Sequence, residues 1–262
     1  MYPILDLGLV ELRSFGVMSV LCMLLSLLVG EVRGRRRGLE PGTMVGFCAF
    51  IYAGGWLGAK LVPMFVEPAH VFSSWEGFVR GFVFTAGAWY GGLLGGVLGL
   101  VLASRNRKVP VRVALDIVTP ALLLGIALGR MGCLLAGCDH GRPAEGVAWA
   151  IIYSDPRGLV PAGLLGVPLH PVQVYDALCS MSILAVVLLI ERTRLVREGG
   201  LFVVFLALYG SLRLFTETYR GDAIRGLWLG GRVSTSQILS VVLLAGVAVL
   251  LAARRRATSV GS

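Results

Sequence analysis

The residues with the means to do chemistry are ionisable side chains set inside long apolar runs, where charge is costly and marks function. Arg130 stands in Gly129-Arg130-Met131-Gly132-Cys133. Arg213, Glu217 and Arg220 follow at spacings of four and three, in Arg213-Leu214-Phe215-Thr216-Glu217-Thr218-Tyr219-Arg220-Gly221-Asp222. Positions three and four apart share a helix face, so this spacing predicts one face with Arg213 paired to Glu217. A guanidinium is a rigid fork of donors that holds a phosphate or a carboxylate through two hydrogen bonds. Arg130 and Arg213 at one depth on different helices therefore suit a single phosphate, or else a buried ion pair that ties helices together. Asp116, fourteen residues before Arg130 and about 21 Å away along a helix, reads as a helix-end group near the opposite face.

Two further clusters carry polar chemistry. His170-Pro171-Val172-Gln173-Val174-Tyr175-Asp176 predicts a helix start, because proline suits a first helical position. His170, Gln173 and Asp176 then bring polar groups to one region, as a satisfied helix entry or as part of a site. Cys133, Cys138 and His140 form Cys-x4-Cys-x-His, which is not a zinc spacing and has no evident fourth ligand, so no metal is expected. A disulfide between the two cysteines stays open. Five residues apart on a regular helix they would face different ways, so the helix must break near Gly137. Cys22, Cys48 and Cys179 lie in apolar runs and read as packing residues, and His70 reads as a loop residue.

These residues need a membrane-type frame. The chain has 262 residues, 56% hydrophobic and 15% charged, with a mean hydropathy of +0.81. Soluble domains carry about 25% charged residues, so a water-soluble fold, a disordered chain and a disulfide scaffold are excluded. Ten-residue alternating strands are missing and long apolar runs are present, which favours helices over a barrel. The runs lie at 14–30, 42–66, 81–103, 113–137, 172–190, 199–219 and 234–253. The expected fold is therefore an all-α integral membrane protein of about seven transmembrane helices, one polytopic domain over 1–262. The first run reads as a retained helix, since it has neither a basic leader region nor a small-x-small cleavage site.

The net charge of +9 reflects topology and not nucleic-acid binding, because the basic residues cluster in alternate short loops. Arg33, Arg35, Arg36 and Arg37 form one cluster. Arg105, Arg107, Lys108 and Arg112 form the second, Arg192, Arg194 and Arg197 the third, and Arg254, Arg255 and Arg256 the tail. The positive-inside rule puts these in the cytoplasm, the N-terminus outside and the C-terminus inside. Glycines four apart, at Gly54/Gly58, Gly91/Gly95 and Gly125/Gly129, allow close helix packing or room for a lipid headgroup. No internal repeat is visible, which disfavours a small-anion transporter.

Taken in order, Tyr90-Gly91-Gly92-Leu93-Leu94-Gly95, Gly129-Arg130-Met131-Gly132, His170-Pro171-Val172-Gln173-Val174-Tyr175, Arg213-x-x-x-Glu217-x-x-Arg220 and Ser236-Gln237-Ile238-Leu239-Ser240 resemble the bacterial prolipoprotein diacylglyceryl transferases over nearly the whole chain. The resemblance implies transfer of a diacylglyceryl group from phosphatidylglycerol to the lipobox cysteine of a prolipoprotein, at the outer face of a bacterial inner (plasma) membrane. Its partners would be phosphatidylglycerol, other membrane lipid and prolipoprotein signal peptides, with no metal or organic cofactor. Arg130 and Arg213 would hold the phosphate and Glu217 would orient Arg213. Tyr90 stands where the family has the His proposed as thiol base. Gly91 and Gly92 would let the lipid approach. Arg142, His170, Gln173, Tyr175 and Arg220 would line the substrate site, as would Cys133, Cys138 and His140. Cys133 and Cys138 stand where the family has Asn and Glu, which leaves open a relative that binds anionic phospholipid or another thiol substrate without the standard reaction.

Overall fold

A computed structural model describes residues 2–6, 8, 10–66, 74–83, 89–222, 226–229 and 233–259. The described chain is mainly helical: α1 Ser14–Arg36, α2 Thr43–Val66, α3 Trp75–Val83, α4 Trp89–Asn106, α5 Val111–Ala136, α6 Val172–Thr193, α7 Gly200–Thr216 and α8 Thr235–Ser259. Three two-stranded antiparallel pieces decorate it. Strands β1 Ile4–Asp6 and β2 Glu11–Arg13 pair, as do β3 Ile151–Ile152 with β4 Pro168–Leu169 and β5 Leu227–Trp228 with β6 Val233–Ser234.

Six of the described helices are long and apolar enough to cross a bilayer: α1, α2, α5, α6, α7 with its following turn, and α8. They match six of the seven expected runs. The remaining run, 81–103, is divided between α3 and α4, and residues 84–88 within it lie outside the described residues, as do 67–73 with His70. Large apolar side chains such as Leu28, Leu94 and Val249 are 58%, 70% and 69% exposed, an arrangement that water would penalise and hydrocarbon accepts.

The chain separates into two compact units, Leu27–Val118 and Met1–Ser26 with Thr119–Ser262; the boundaries fall inside α1 and α5. The Leu27–Val118 unit is built on glycine. A Cβ on Gly54 would overlap the Gly95 carbonyl oxygen, one on Gly58 the Gly91 carbonyl oxygen, and one on Gly99 the Phe50 carbonyl oxygen. Helices α2 and α4 thus pack backbone on backbone, the contact that small residues permit in a medium without a hydrophobic drive between helices. Beside this seam Met44, Phe47, Leu100, Ala103, Ala114 and Ile117 form a buried cluster. In the other unit α7 packs against both α6 and α8, and α1 meets α5 where the Ser26 hydroxyl donates to Ala121 O at 3.1 Å.

The seam gives a direct test. Gly95→Val puts branched carbons against the Gly54 carbonyl and is expected to cost about 1–3 kcal/mol. Gly246→Ala, whose Cβ meets open space, is expected to leave stability unchanged or slightly raised. Thermal unfolding of the detergent-solubilised chain compares the two.

Candidate active site

The site is assembled from the ends of α5, α6 and α7 and the chain that follows α5 and α7. Arg130 sits near the end of α5, Asp176 in the second turn of α6 and Arg213 in the last turn of α7, all buried. Asp176 Oδ2 forms ion pairs with both arginines, with Arg130 Nε at 3.1 Å and with Arg213 Nη1 at 3.3 Å, and the second of these is also a hydrogen bond. Arg213 Nη2 also meets Glu217 Oε2 at 2.7 Å, the i,i+4 pair expected from the spacing. The sixth-run motif departs from a continuous helix after Thr216. Glu217–Tyr219 tighten into a 3-10 turn and Arg220 is extended. Arg220 therefore leaves the shared helix face expected for it and turns to Asp222 and Asp139. Its Nη2 lies 2.7 Å from Asp222 Oδ2 and 2.6 Å from Asp139 Oδ1. Arg130 Nη1 reaches the other oxygen, Asp139 Oδ2, at 2.6 Å.

The loop after α5 is shaped to deliver Asp139. Gly137, at φ +81°, ends the helix in the left-handed conformation that favours glycine, and its N–H donates to Cys133 O at 2.8 Å. The helix break expected near Gly137 is thus present. Asp139 is itself left-handed, at φ +55°, an unusual state for a residue with a Cβ. The loop is then pinned to neighbouring segments by backbone bonds. Gly221 N donates to His140 O at 3.0 Å, Arg142 N to Tyr219 O at 2.9 Å and His170 N to Arg142 O at 3.0 Å. Gly141 sits so close to His170 that a Cβ there would overlap the His170 carbonyl oxygen.

The electrostatics follow from this packing. Burial raises the Asp139 carboxyl, but the charges of Arg130 and Arg220 outweigh it and hold the group down at about 2. Burial, reinforced by the Arg142 charge, lowers the His170 imidazole below its usual value. Its Nδ1 lies 3.3 Å from the Tyr175 hydroxyl, which also accepts from Trp149 Nε1 at 2.7 Å. His170, Tyr175 and Tyr219 meet edge to face, and the exposed Arg142 guanidinium lies 5.5 Å over the Tyr219 ring. Gln173 Nε2 donates to Cys138 O at 2.7 Å and to the Tyr153 hydroxyl at 3.2 Å. Burial pushes that Tyr153 hydroxyl up to about 12.

Of the residues singled out in the sequence, Arg130, Cys133, Cys138, His140, Arg142, His170, Gln173, Tyr175, Arg213, Glu217 and Arg220 all lie in the Met1–Ser26/Thr119–Ser262 unit. His140 is buried with Nδ1 3.1 Å from Gly141 O. Helix α6 begins at Val172 with Pro171 as its cap, one residue later than expected. Tyr90, Gly91 and Gly92 belong to the Leu27–Val118 unit, where the two glycines lie along α2. Among the described residues no group of three metal-ligating side chains stands together. Sequence reasoning missed Asp139, Asp222, Tyr153 and the buried Tyr209, which hydrogen-bonds Arg130. It named Asp176 without seeing that two arginines would share one of its oxygens. The available signal for Asp139 was an acid immediately beyond a helix that must break at glycine, in the longest loop.

A multi-pass helical membrane protein with a buried knot of arginines and carboxylates at the ends of three helices is the class so far defined. The prolipoprotein diacylglyceryl transferase family model matches residues 3–253, and the chain belongs to that family. It is 32% identical over 263 residues to a phosphatidylglycerol–prolipoprotein diacylglyceryl transferase of Geobacter sulfurreducens, covering 95% of this chain and 94% of that one. It is 30% identical over 243 residues to phosphatidylglycerol–prolipoprotein diacylglyceryl transferase 2 of Clostridium perfringens, covering 90% and 88%. A Mannheimia succiniciproducens protein of the same name is 30% identical over 97% of this chain and 93% of its own.

Two outcomes check the geometry. Asp176→Ala strands two buried guanidiniums without their common acceptor and is expected to cost about 3–5 kcal/mol in denaturant unfolding. For Asp139, whose folded pKa lies below the unfolded value of about 3.9, the stabilisation is present above that value and lost as pH falls through about 2. The stability difference between wild type and Asp139→Asn is therefore flat from pH 8 to pH 5 and shrinks in more acid solution, as read from unfolding curves at each pH.

Proposed function

We propose that this chain transfers a diacylglyceryl group from phosphatidylglycerol to the lipobox cysteine thiol of prolipoproteins at the outer face of a bacterial inner membrane. The observation that carries the proposal is the meeting of Arg130 and Arg213 on Asp176 Oδ2 in a member of this family. In the reaction the thiol sulfur attacks the glyceryl carbon that bears the phosphate ester. The sulfur–carbon bond forms, the carbon–oxygen bond breaks, and glycerol 1-phosphate departs with the proton that the thiol gives up. The departing phosphate develops charge, and donors already held in place stabilise it without reorganising.

Charge balance assigns the residue that must move. Three guanidiniums, Arg130, Arg213 and Arg220, face four carboxylates, Asp139, Asp176, Glu217 and Asp222, so the ionised cluster is net negative. A phosphate enters only if one carboxylate yields its arginines. Asp139 is the candidate: its side chain is 34% exposed against 12% for Asp222, 3% for Asp176 and 1% for Glu217. It also bridges Arg130 and Arg220 much as a phosphate would, on a left-handed backbone that favours release. Asp176 Oδ1 and Gln173 Oε1 are buried without a hydrogen-bond partner among the described residues. Buried polar atoms are nearly always satisfied, and these two would accept from the hydroxyls of the glycerol headgroup. Arg142, His170 and Tyr175 flank this region from the loop side.

The proposed topology is seven spans with the N-terminus outside and the C-terminus in the cytoplasm. Its support is the placing of basic residues, with Arg33, Arg35 and Arg36 closing α1, Arg105 closing α4 and Arg192 closing α6.

Release of glycerol phosphate from phosphatidylglycerol in the presence of a lipobox peptide tests the proposal. Arg130→Lys and Arg213→Lys keep the charge but lose the fork, and the rate is expected to fall by about 10²–10³-fold. Asp139→Asn is expected to lower the KM for phosphatidylglycerol, since the competing carboxylate is gone; a raised KM contradicts its role as the displaced group. No transfer by the wild-type chain contradicts the proposal as a whole.

A further inference from the structure

Cys133 and Cys138 have no part in the reaction as written, yet they meet. The left-handed cap at Gly137 folds the chain back over the end of α5, so that Cys138 Sγ lies 3.8 Å from Cys133 O. Cys133 Sγ is also 3.7 Å from Asp139 Oδ2. Both side chains are half-buried and neither is in a disulfide. The cap thus returns the Cys138 side chain to the last turn of α5, where Cys133 stands. The surroundings favour a reactive thiol at Cys138. The neighbouring Cys133 side chain lowers its pKa most, burial and the Asp139 charge act against it, and the Arg130 charge lowers it further. The Cys22 thiol, by contrast, donates to the Gly125 carbonyl at 3.2 Å.

We propose that Cys133 and Cys138 form a redox-active dithiol site that takes a small disulfide as its oxidant and closes to an intramolecular disulfide beside the arginine cluster. The Cys138 thiolate attacks one sulfur of the small disulfide, whose sulfur–sulfur bond breaks and releases one thiolate. The resulting mixed disulfide is attacked by Cys133, which loses its proton, bonds to Cys138 and expels the second small thiolate. Two electrons pass from the cysteine pair to the oxidant, and a dithiol reverses the sequence. Closure withdraws the Cys133 thiol from Asp139 Oδ2, so the oxidation state reaches the carboxylate that bridges Arg130 and Arg220.

The test titrates the full chain in detergent with oxidised glutathione, quenches with iodoacetamide and maps the peptides by mass spectrometry. All five cysteines are expected to alkylate in the reduced protein. After oxidation only Cys22, Cys48 and Cys179 should alkylate, and the peptide holding Cys133 and Cys138 should be lighter by two hydrogens. Cys133→Ser is expected to stop at a glutathione adduct on Cys138, formed about tenfold faster than at the other cysteines. A Cys22→Ser/Cys48→Ser/Cys179→Ser variant retains the pair alone and must close in the same way. The proposal is overturned if both cysteines stay alkylatable in excess oxidised glutathione, or if Cys138 in the Cys133→Ser protein reacts no faster than Cys22, Cys48 or Cys179.

Discussion

One carboxylate oxygen organises the site. Asp176 Oδ2 pairs with both Arg130 of α5 and Arg213 of α7, and so holds two like charges at a spacing neither would choose alone. Burying a guanidinium costs several kcal/mol unless it is paired and hydrogen-bonded, and here each arginine has two acidic partners. Glu217 fixes the far side of Arg213, while Asp139 and Arg220 close the loop side. Three helix ends and two loops are thereby tied to one point.

On the proposed reading, the same arrangement lets a site that is net negative serve an anion. Asp176 and Glu217 are almost wholly enclosed and act as fixed counter-charges, whereas Asp139 is the least buried of the set, on a loop bent by two left-handed residues, Gly137 and Asp139 itself, near the helix end. A carboxylate that bridges two arginines at 2.6 Å keeps them oriented until a stronger multidentate acceptor arrives. On the proposed reading, that acceptor is the lipid phosphate.

The membrane frame was legible because hydropathy and charge patterning act over whole segments: α1, α2, α5, α6, α7 and α8 each coincide with an apolar run. The Arg213–Glu217 pair was legible because helix geometry alone brings positions four apart together. Arg220 was placed wrongly on that face because the helix tightens at Glu217, four residues before the only local breaker, Gly221. Asp139 escaped notice because its position depends on a cap and on cross-loop backbone bonds from residues about eighty positions away. Gly91 and Gly92 show the reverse case, in which the motif is plain and the structure gives the packing with α2 as its visible use.

The most direct measurement is the distance from the lipid phosphorus to the guanidinium carbons of Arg130 and Arg213, by solid-state magnetic resonance on arginine-labelled protein in phosphatidylglycerol bilayers. The account predicts dipolar contact, at hydrogen-bonding range, from one phosphate to both buried arginines, absent in the Arg130→Lys and Arg213→Lys proteins. Contact confined to the loop and tail arginines, with the Asp176 pairing undisturbed in excess lipid, would contradict it.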